Sequence, residues 1–190
     1  MAAILKQDGC ISVPTDTVYG VCARTSEEGR RKLYELKHRP LSKQFPIMCA
    51  DLEQARQVAE ISGAAELVMK TLMPGPLTLI LRTRKDAPSA IQGDTVAVRL
   101  ATSEALKALI QAVGSPIFLT SANQSGQPEC QTLEEISLAC LQLDGMMEGD
   151  VSFGQASTIA DCTNETIVIL REGPVTLDMI TQAAGGGCDD

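Results

Sequence analysis

Short apolar runs alternate along this chain with segments of helical periodicity, and that alternation leaves few possible folds. The apolar runs predict seven strands: GCISV, PIMCA, LTLILR, TVAVRL, PIFLT, STIAD and TIVILR. The periodic segments predict six helices, over residues 26–37, 51–60, 62–73, 103–113, 132–143 and 176–184. Strands that alternate with helices predict an α/β domain, with a twisted sheet of mixed parallel and antiparallel strands and helices on its faces.

Helix-capping signals support several of these boundaries. The spacings Thr25 to Glu28 and Thr132 to Glu135 are typical of capping boxes, and Asp51 is placed to cap the segment that follows it. No repeat or low-complexity linker marks a domain boundary. We therefore expect a single domain over 1–184, followed by a flexible tail at 185–190.

Composition excludes several classes of protein. The 190 residues are 44% hydrophobic, enough for one sizeable core. No run approaches the roughly 18 apolar residues of a membrane span, and Met1–Gly9 lacks the features of a signal peptide. Seven cysteines without a C-x-x-C pair, and a single histidine, support neither a disulfide framework nor a zinc site. We expect a soluble cytoplasmic protein with reduced cysteines and no membrane contact.

The charges are unevenly distributed. The net charge is −8, yet fifteen of the sixteen Lys and Arg residues lie within 1–107. An anion site would therefore draw its cations mainly from the first half of the chain. Nonspecific nucleic-acid binding usually needs a strongly basic surface, so we expect direct RNA binding to be weak or absent.

Polar segments that follow predicted strands or end the first long helix are the candidate sites. They are VPTDTVYG at 13–20, LKHRPLSK at 36–43 and TSANQSGQP at 120–128. Three further side chains occupy comparable strand edges: Arg99, Ser157 and Arg171. Each feature alone is explained by ordinary turn or helix-end chemistry. Together they could also hold a phosphate or a carboxylate.

Missing motifs narrow the chemistry. The chain has no G-x-x-x-x-G-K-[ST] and no G-x-G-x-x-G, and G-x-S-x-G is absent too. His38 is the only histidine, so a serine-hydrolase triad is not supported. Positioning and charge neutralisation are therefore favoured over covalent catalysis.

In their order, the strings PTDTVYG, LKHRP, PGPLTLIL, VAVR, TSANQSGQP, STI and LREG resemble the YrdC-type threonylcarbamoyl-AMP synthase family. The resemblance extends from about residue 4 to residue 180. It implies a YrdC-like sheet with a concave, electropositive face. It also implies a nucleotidyltransferase that makes threonylcarbamoyl-AMP and pyrophosphate from L-threonine, bicarbonate or CO2, and ATP. The product would serve the t6A modification of adenosine 37 in tRNA.

The resemblance also implies roles for individual residues. Those implied to bind threonine are Thr17, Arg99 and Ser157. Those implied to bind ATP are Arg39, Lys43, Thr95, Ser121, Asn123 and Arg171. Those implied to take part in catalysis are Lys37, Arg39, Ser121 and Asn123. Met48 stands where several members of the family carry a polar residue near threonine.

The resemblance implies partners as well. Mg2+ would accompany ATP, held largely by phosphates and water rather than by protein ligands. The adenylate would pass to tRNA-modifying proteins. Longer members of the family carry a further C-terminal domain. The resemblance here ends at about residue 180 of 190, so we expect a single-domain enzyme.

Two alternatives remain open at this point. One is an RNA-binding or ribosome-associated module that uses the same concave face. The other is a YciO-like paralogue with weak synthase activity or a hydrolytic activity on the same adenylate.

Overall fold

The structure is a computed structural model that describes residues 1–130, 132–139, 142–151, 155–164 and 166–185. Within these ranges it contains ten strands and seven helices. The strands are β1 Ile11–Val13, β2 Gly20–Arg24, β3 Ile47–Cys49, β4 Ala59–Glu60, β5 Leu77–Thr83, β6 Thr95–Leu100, β7 Ile117–Ser121, β8 Gly145–Met146, β9 Thr158–Asp161 and β10 Val168–Arg171. The helices are α1 Ala2–Lys6, α2 Glu27–Lys37, α3 Leu52–Ala55, α4 Gly63–Leu72, α5 Glu104–Val113, α6 Leu133–Ala139 and α7 Leu177–Ala183.

All ten strands belong to one mixed sheet. Their order is β10-β9-β5-β6-β3-β7-β2-β1-β8, with β4 paired to β5 at the side. The pairs β3/β6, β5/β9 and β1/β8 are parallel, and the other pairs are antiparallel. The predicted α/β fold with a mixed sheet is confirmed.

The two faces of the sheet bury separate apolar clusters, because neighbouring residues of a strand point to opposite faces. In β2, Val21 and Ala23 join the cluster that holds the apolar residues of α2, α4, α6 and α7. Cys22 between them joins the cluster that holds those of α1 and α5. In β3, Ile47 joins the first of these clusters and Met48 joins the second. The sheet is therefore covered on both faces.

The first predicted helix cap was wrong by one residue. Ser26 caps α2, and its Oγ accepts a hydrogen bond from the Gly29 amide at 3.0 Å. The Thr25 hydroxyl instead donates to the carbonyl of Pro116 at 2.8 Å. Thr25 is buried, so its hydroxyl finds its partner in the segment before β7 rather than in its own helix.

The helix predicted over 51–60 is much shorter in the structure. Asp51 caps it as predicted, but α3 ends at Ala55. Ala59–Glu60 forms β4 and pairs with the end of β5. The ladder satisfies backbone groups that a longer helix would have paired internally, and this tertiary contact overrides the helical pattern.

The helix predicted over 132–143 is described only in part. Thr132 caps it as predicted, accepting a hydrogen bond from the Glu135 amide at 3.1 Å. The helix reaches Ala139, and residues 140 and 141 lie outside the described residues. The other predicted strands and helices are confirmed with shifts of two residues at most, whereas α1, β2, β4 and β8 were not predicted.

The cysteines of the described residues are unbridged. Cys10, Cys22, Cys49 and Cys130 are buried, and Cys162 is half-buried. Cys140 and Cys188 lie outside the described residues, as do residues 186–190 of the expected tail. Among the helices described, none combines the length and the apolar character needed to cross a membrane.

Candidate active site

A cavity of about 210 Å³ opens on the sheet where the β1–β2 loop, the central strands and the start of β9 come together. Three arginines line it, Arg39, Arg99 and Arg171. Glu129 is the one carboxylate that we find on its walls among the described residues. The hydroxyl groups on the cavity wall are those of Thr15, Thr17, Thr78, Thr120, Ser121 and Ser157. A positive cavity rich in hydroxyl groups suits an anionic, hydrogen-bonding ligand.

Arg99 lies at the centre of the hydrogen-bond network in this cavity. It is only 7% exposed, near the end of β6. Its guanidinium is paired with the Asp16 carboxylate, donates to Thr17 Oγ1 at 3.1 Å, and donates twice to the Gly75 carbonyl, at 3.1 Å each. Burial lowers the pKa of Arg99, and Asp16 opposes that fall. Burial also raises the pKa of Asp16, against the opposing effect of Arg99.

The β1–β2 loop is held by its own threonines. Thr15 Oγ1 donates to the Val18 carbonyl at 2.7 Å, so its single hydroxyl proton is committed there. In the 2.9 Å contact between the two threonine hydroxyls, Thr17 must therefore be the donor. Thr17 Oγ1 also accepts from Arg99. The Thr17 hydroxyl consequently offers a lone pair, not a proton, to a ligand in the cavity.

Lys37 lies behind the cavity wall rather than on it. Its side chain is 1% exposed, and its amine donates to the Ser121 carbonyl and, at 2.7 Å, to Asn123 Oδ1. The Ser121 hydroxyl donates to the same amide oxygen at 2.8 Å. Asn123 Nδ2 donates in turn to the Gln127 carbonyl. The end of α2 and the loop after β7 thus form one network that orients Ser121 on the cavity wall.

Arg39 lies on the cavity wall and is folded onto the segment that follows it. Its guanidinium donates to the carbonyls of Lys43 at 2.9 Å and Gln44 at 2.8 Å. It also lies 5.0 Å from the centre of the Phe45 ring, within range of a cation–π contact. Burial lowers the pKa of Arg39.

Arg171 and Ser157 form another side of the cavity. Arg171 donates to the Ser157 carbonyl at 3.0 Å and to its hydroxyl at 3.2 Å. Thr78 Oγ1 lies 2.9 Å from the same hydroxyl. Burial lowers the pKa of Arg171, and the charge of Glu129 opposes this fall. The guanidinium is thereby held with one side toward the cavity.

Six of the ten predicted site residues line this cavity: Thr17, Arg39, Arg99, Ser121, Ser157 and Arg171. Lys37 and Asn123 are bonded to its wall from behind. Lys43 and Thr95 are exposed and do not line it. Thr95 begins β6, about 13 Å along the strand from Arg99 at the usual strand rise. Contacts of Lys43 and Thr95 with ATP remain predictions.

Four polar residues that line the cavity were not predicted as site residues: Thr15, Thr78, Thr120 and Glu129. Asp16, which is paired with Arg99, was not predicted either. Thr120 begins the string TSANQSGQP. Thr15 and Asp16 lie in the string PTDTVYG, and Glu129 directly follows TSANQSGQP, so their position in the sequence was a usable signal. Thr78 lies inside the apolar run LTLILR and carries no such signal.

Comparison with known proteins gives consistent matches. The family model Sua5_yciO_yrdC, described as Telomere recombination, matches residues 3–173. Two similar proteins are the threonylcarbamoyl-AMP synthases of Pyrococcus abyssi, with 34% identity, and Bacillus subtilis, with 35% identity. Each alignment covers 97% of this chain. The chain spans only 56% and 55% of their lengths.

Solved structures share this fold. The crystal structure of P. abyssi Sua5 complexed with L-threonine matches 97% of this chain and 56% of its own, with a TM-score of 0.90 and 32% identity. That of E. coli YciO matches 94% of this chain and 90% of its own, with a TM-score of 0.84 and 26% identity. The fold is therefore shared with proteins of both names.

Proposed function

Because the chain belongs to the Sua5/YciO/YrdC family, we propose that it is an L-threonylcarbamoyladenylate synthase. This nucleotidyltransferase joins L-threonine, bicarbonate or CO2, and ATP into threonylcarbamoyl-AMP and pyrophosphate. The observation that carries the proposal is the meeting of three arginines and several hydroxyl groups in one cavity. A zwitterionic amino acid beside a polyphosphate needs this combination of charge and hydrogen bonding.

Arg99 and Thr17 are assigned to the amino acid. Arg99 attracts the carboxylate. The Thr17 hydroxyl, whose proton is committed to Thr15, accepts a hydrogen bond from the amine or from the side-chain hydroxyl. Ser157 completes this part of the site, where its contact with Arg171 fixes its orientation.

Arg39 and Arg171 are assigned to the nucleotide. The amine of threonine adds to CO2 and loses a proton, which gives a carbamate. An oxygen of the carbamate then attacks the α-phosphorus, and the bond to the leaving pyrophosphate breaks. The two guanidiniums balance the charge on the phosphate oxygens during this transfer. Lys37 and Asn123 hold Ser121 at the cavity wall, where its lone pairs face the reacting groups.

Mg2+ fits this site as a partner of ATP. The described residues contain no group of three or more His, Cys, Asp or Glu able to hold a metal ion alone. Glu129 on the cavity wall is the side chain with the oxygen chemistry that Mg2+ prefers, with phosphate oxygens and water completing its ligands. The ion would supply positive charge to the phosphates.

The adenylate is unstable in water as a mixed anhydride, so we assign it to transfer onto tRNA by partner proteins, for the t6A modification. We propose that the reaction takes place in the cytoplasm, the reducing compartment that suits unbridged cysteines. Enclosing the reactants in the cavity would protect the carbamate, which loses CO2 readily in bulk water.

Pyrophosphate release from ATP and bicarbonate tests the proposal. L-threonine should stimulate release well above L-serine and L-valine, and threonylcarbamoyl-AMP should be detected by mass spectrometry. Arg99→Lys should abolish the stimulation, because lysine cannot reproduce the guanidinium's several directed hydrogen bonds. Arg82→Lys, at an exposed arginine of β5, is the matched control and should retain it.

Two outcomes would contradict the synthase assignment. Threonine-independent pyrophosphate release is one. Hydrolysis of supplied threonylcarbamoyl-AMP without its synthesis is the other, and would favour the YciO-like alternative. The RNA-binding alternative is not favoured by relatives that are named as synthases.

A further inference from the structure

The guanidinium of Arg99 is already largely engaged by the protein. It makes four hydrogen bonds to Asp16, Thr17 and the Gly75 carbonyl. A guanidinium has five N–H donors, so about one remains for a ligand. The parallel pair of hydrogen bonds that arginine usually offers a carboxylate is therefore not available without displacing one of these partners.

The charge of Arg99 is also compensated before any ligand binds. The Asp16 carboxylate is paired with the guanidinium, and the two side chains are 17% and 8% exposed. Asp16 is absent from the cavity wall, whereas Arg99 lies on it. A ligand in the cavity therefore contacts the guanidinium and not its carboxylate partner. An incoming carboxylate meets a nearly neutral ion pair rather than a free cation.

We propose that Asp16 is a specificity-determining residue, a fixed counter-ion that limits how strongly Arg99 attracts a ligand carboxylate. This inference rests on the proposed function, because it takes the ligand to be an amino acid with its carboxylate at Arg99. Asp16 weakens that attraction. The amine and the side chain of the ligand must then supply more of the binding free energy, and simple carboxylic acids are rejected.

A purely structural role for Asp16 predicts a change of opposite sign. If Asp16 only held Arg99 in place, removing its charge would loosen the guanidinium and weaken carboxylate binding. If Asp16 acts as a competing charge, its removal strengthens carboxylate binding. Asp16→Asn separates the two, because the amide keeps the shape of the side chain and an oxygen that can still accept from Arg99.

Calorimetric titration of wild type and Asp16→Asn with three probes tests the proposal. L-threonine should bind the variant at least about tenfold more tightly, since one unit charge several ångströms away is removed at a partly buried site. L-threoninol, in which an alcohol replaces the carboxylate, should bind both proteins alike. 3-Hydroxybutyrate, which lacks the amine, should gain affinity for the variant. Asp16→Glu keeps the charge and should keep the wild-type preference among the probes.

Urea unfolding with and without each probe is the control that shows whether the variants fold. A ligand that binds the folded state shifts the unfolding midpoint even when the variant is destabilised. Asp16→Ser gives a second variant without the charge, for which we expect the same direction of change. Unchanged or weaker binding of both carboxylate probes by the charge-free variants would overturn the proposal.

The test separates this inference from the proposed function. Wild-type protein that fails to bind L-threonine contradicts the synthase assignment. If Asp16→Asn still gains affinity for 3-hydroxybutyrate in that case, the counter-ion role of Asp16 holds although the synthase assignment fails. If wild type binds L-threonine and the variant binds neither carboxylate probe more tightly, only the inference about Asp16 fails.

Discussion

The amine of Lys37 donates a hydrogen bond to the side-chain oxygen of Asn123 at 2.7 Å, across 86 residues of sequence. The resemblance implied a part in catalysis for Lys37, yet its side chain is 1% exposed and lies behind the cavity wall. Lys37 therefore contacts Ser121 and Asn123 rather than the cavity itself. Arg39, two residues further along, lies on the wall itself.

Lys37→Met should destabilise the fold and reduce pyrophosphate release together. The change removes a donor from the Ser121 carbonyl and from Oδ1 of the buried Asn123, a loss on the order of 2 kcal/mol in the free energy of unfolding. Urea unfolding and the pyrophosphate assay measure the two effects. Lys32→Met, at a more exposed position of the same helix, is the control and should change neither appreciably. A fully stable but inactive Lys37→Met protein would instead indicate direct contact with substrate.

Arg39→Ala should raise the KM for ATP by about tenfold or more, because a charge-assisted hydrogen bond is worth roughly 1.5–3 kcal/mol. The KM for L-threonine should change much less, since Arg99 is assigned to that substrate. Steady-state kinetics with each substrate varied in turn provides the measurement. Arg84→Ala, at an exposed arginine paired with Asp86, serves as the control. Equal increases in both KM values would speak against a nucleotide-specific role.

Gly173→Ala should destabilise the protein by about 1–3 kcal/mol through overpacking. A Cβ at this position would lie 2.4 Å from the Thr158 amide nitrogen and 2.7 Å from the Ala156 carbonyl oxygen, so backbone would have to move. The movement would displace Ser157, and L-threonine affinity should fall as well. Gly63→Ala, where a Cβ meets nothing within 4 Å, should be neutral or stabilising. Thermal unfolding of both variants gives the comparison, and equal behaviour would contradict the packing argument.

Asp16→Asn should lower the free energy of unfolding by about 3 kcal/mol, because it leaves the buried Arg99 cation without its counter-ion. Saturating L-threonine should restore more stability to this variant than to wild type, as its carboxylate takes over the missing charge. Chemical unfolding with and without the amino acid measures both effects. Asp86→Asn removes the acid of an exposed ion pair and should have little effect on stability. An Asp16→Asn protein as stable as wild type would show that the ion pair adds nothing to the fold.

Most helices and strands could be predicted because their signals are local. The apolar period of residues 103–113 followed by Gly114 predicted α5, which ends at Val113 and is capped by Gly114 with a φ of 84°. The apolar run at 95–100 became β6 with unchanged bounds. The failures arose where distant partners intervened, as at Ala59–Glu60, which β5 recruits into the sheet. The strand β2 was missed because its five residues directly follow the polar loop of PTDTVYG without a separating turn signal.

Most residues of the candidate site could be predicted, but their contacts with one another could not. The family resemblance grouped Thr17, Arg99 and Ser157 as one set, and all three line one cavity. The strings could not show that the Arg99 guanidinium pairs with the carboxylate of Asp16, the residue before Thr17. That contact joins residues 83 positions apart.

Sequence alone specified the elements of this protein and the residue types available for binding, because apolar period, capping and turn chemistry act over a few neighbouring residues. Tertiary structure alone decided which charges are compensated and which face a ligand. The order β6-β3-β7-β2 brings the β1–β2 loop to Arg99 and the end of α2 to the loop after β7. Charge pairing and burial depend on such long-range neighbours, and their free energies arise only when the sheet has formed.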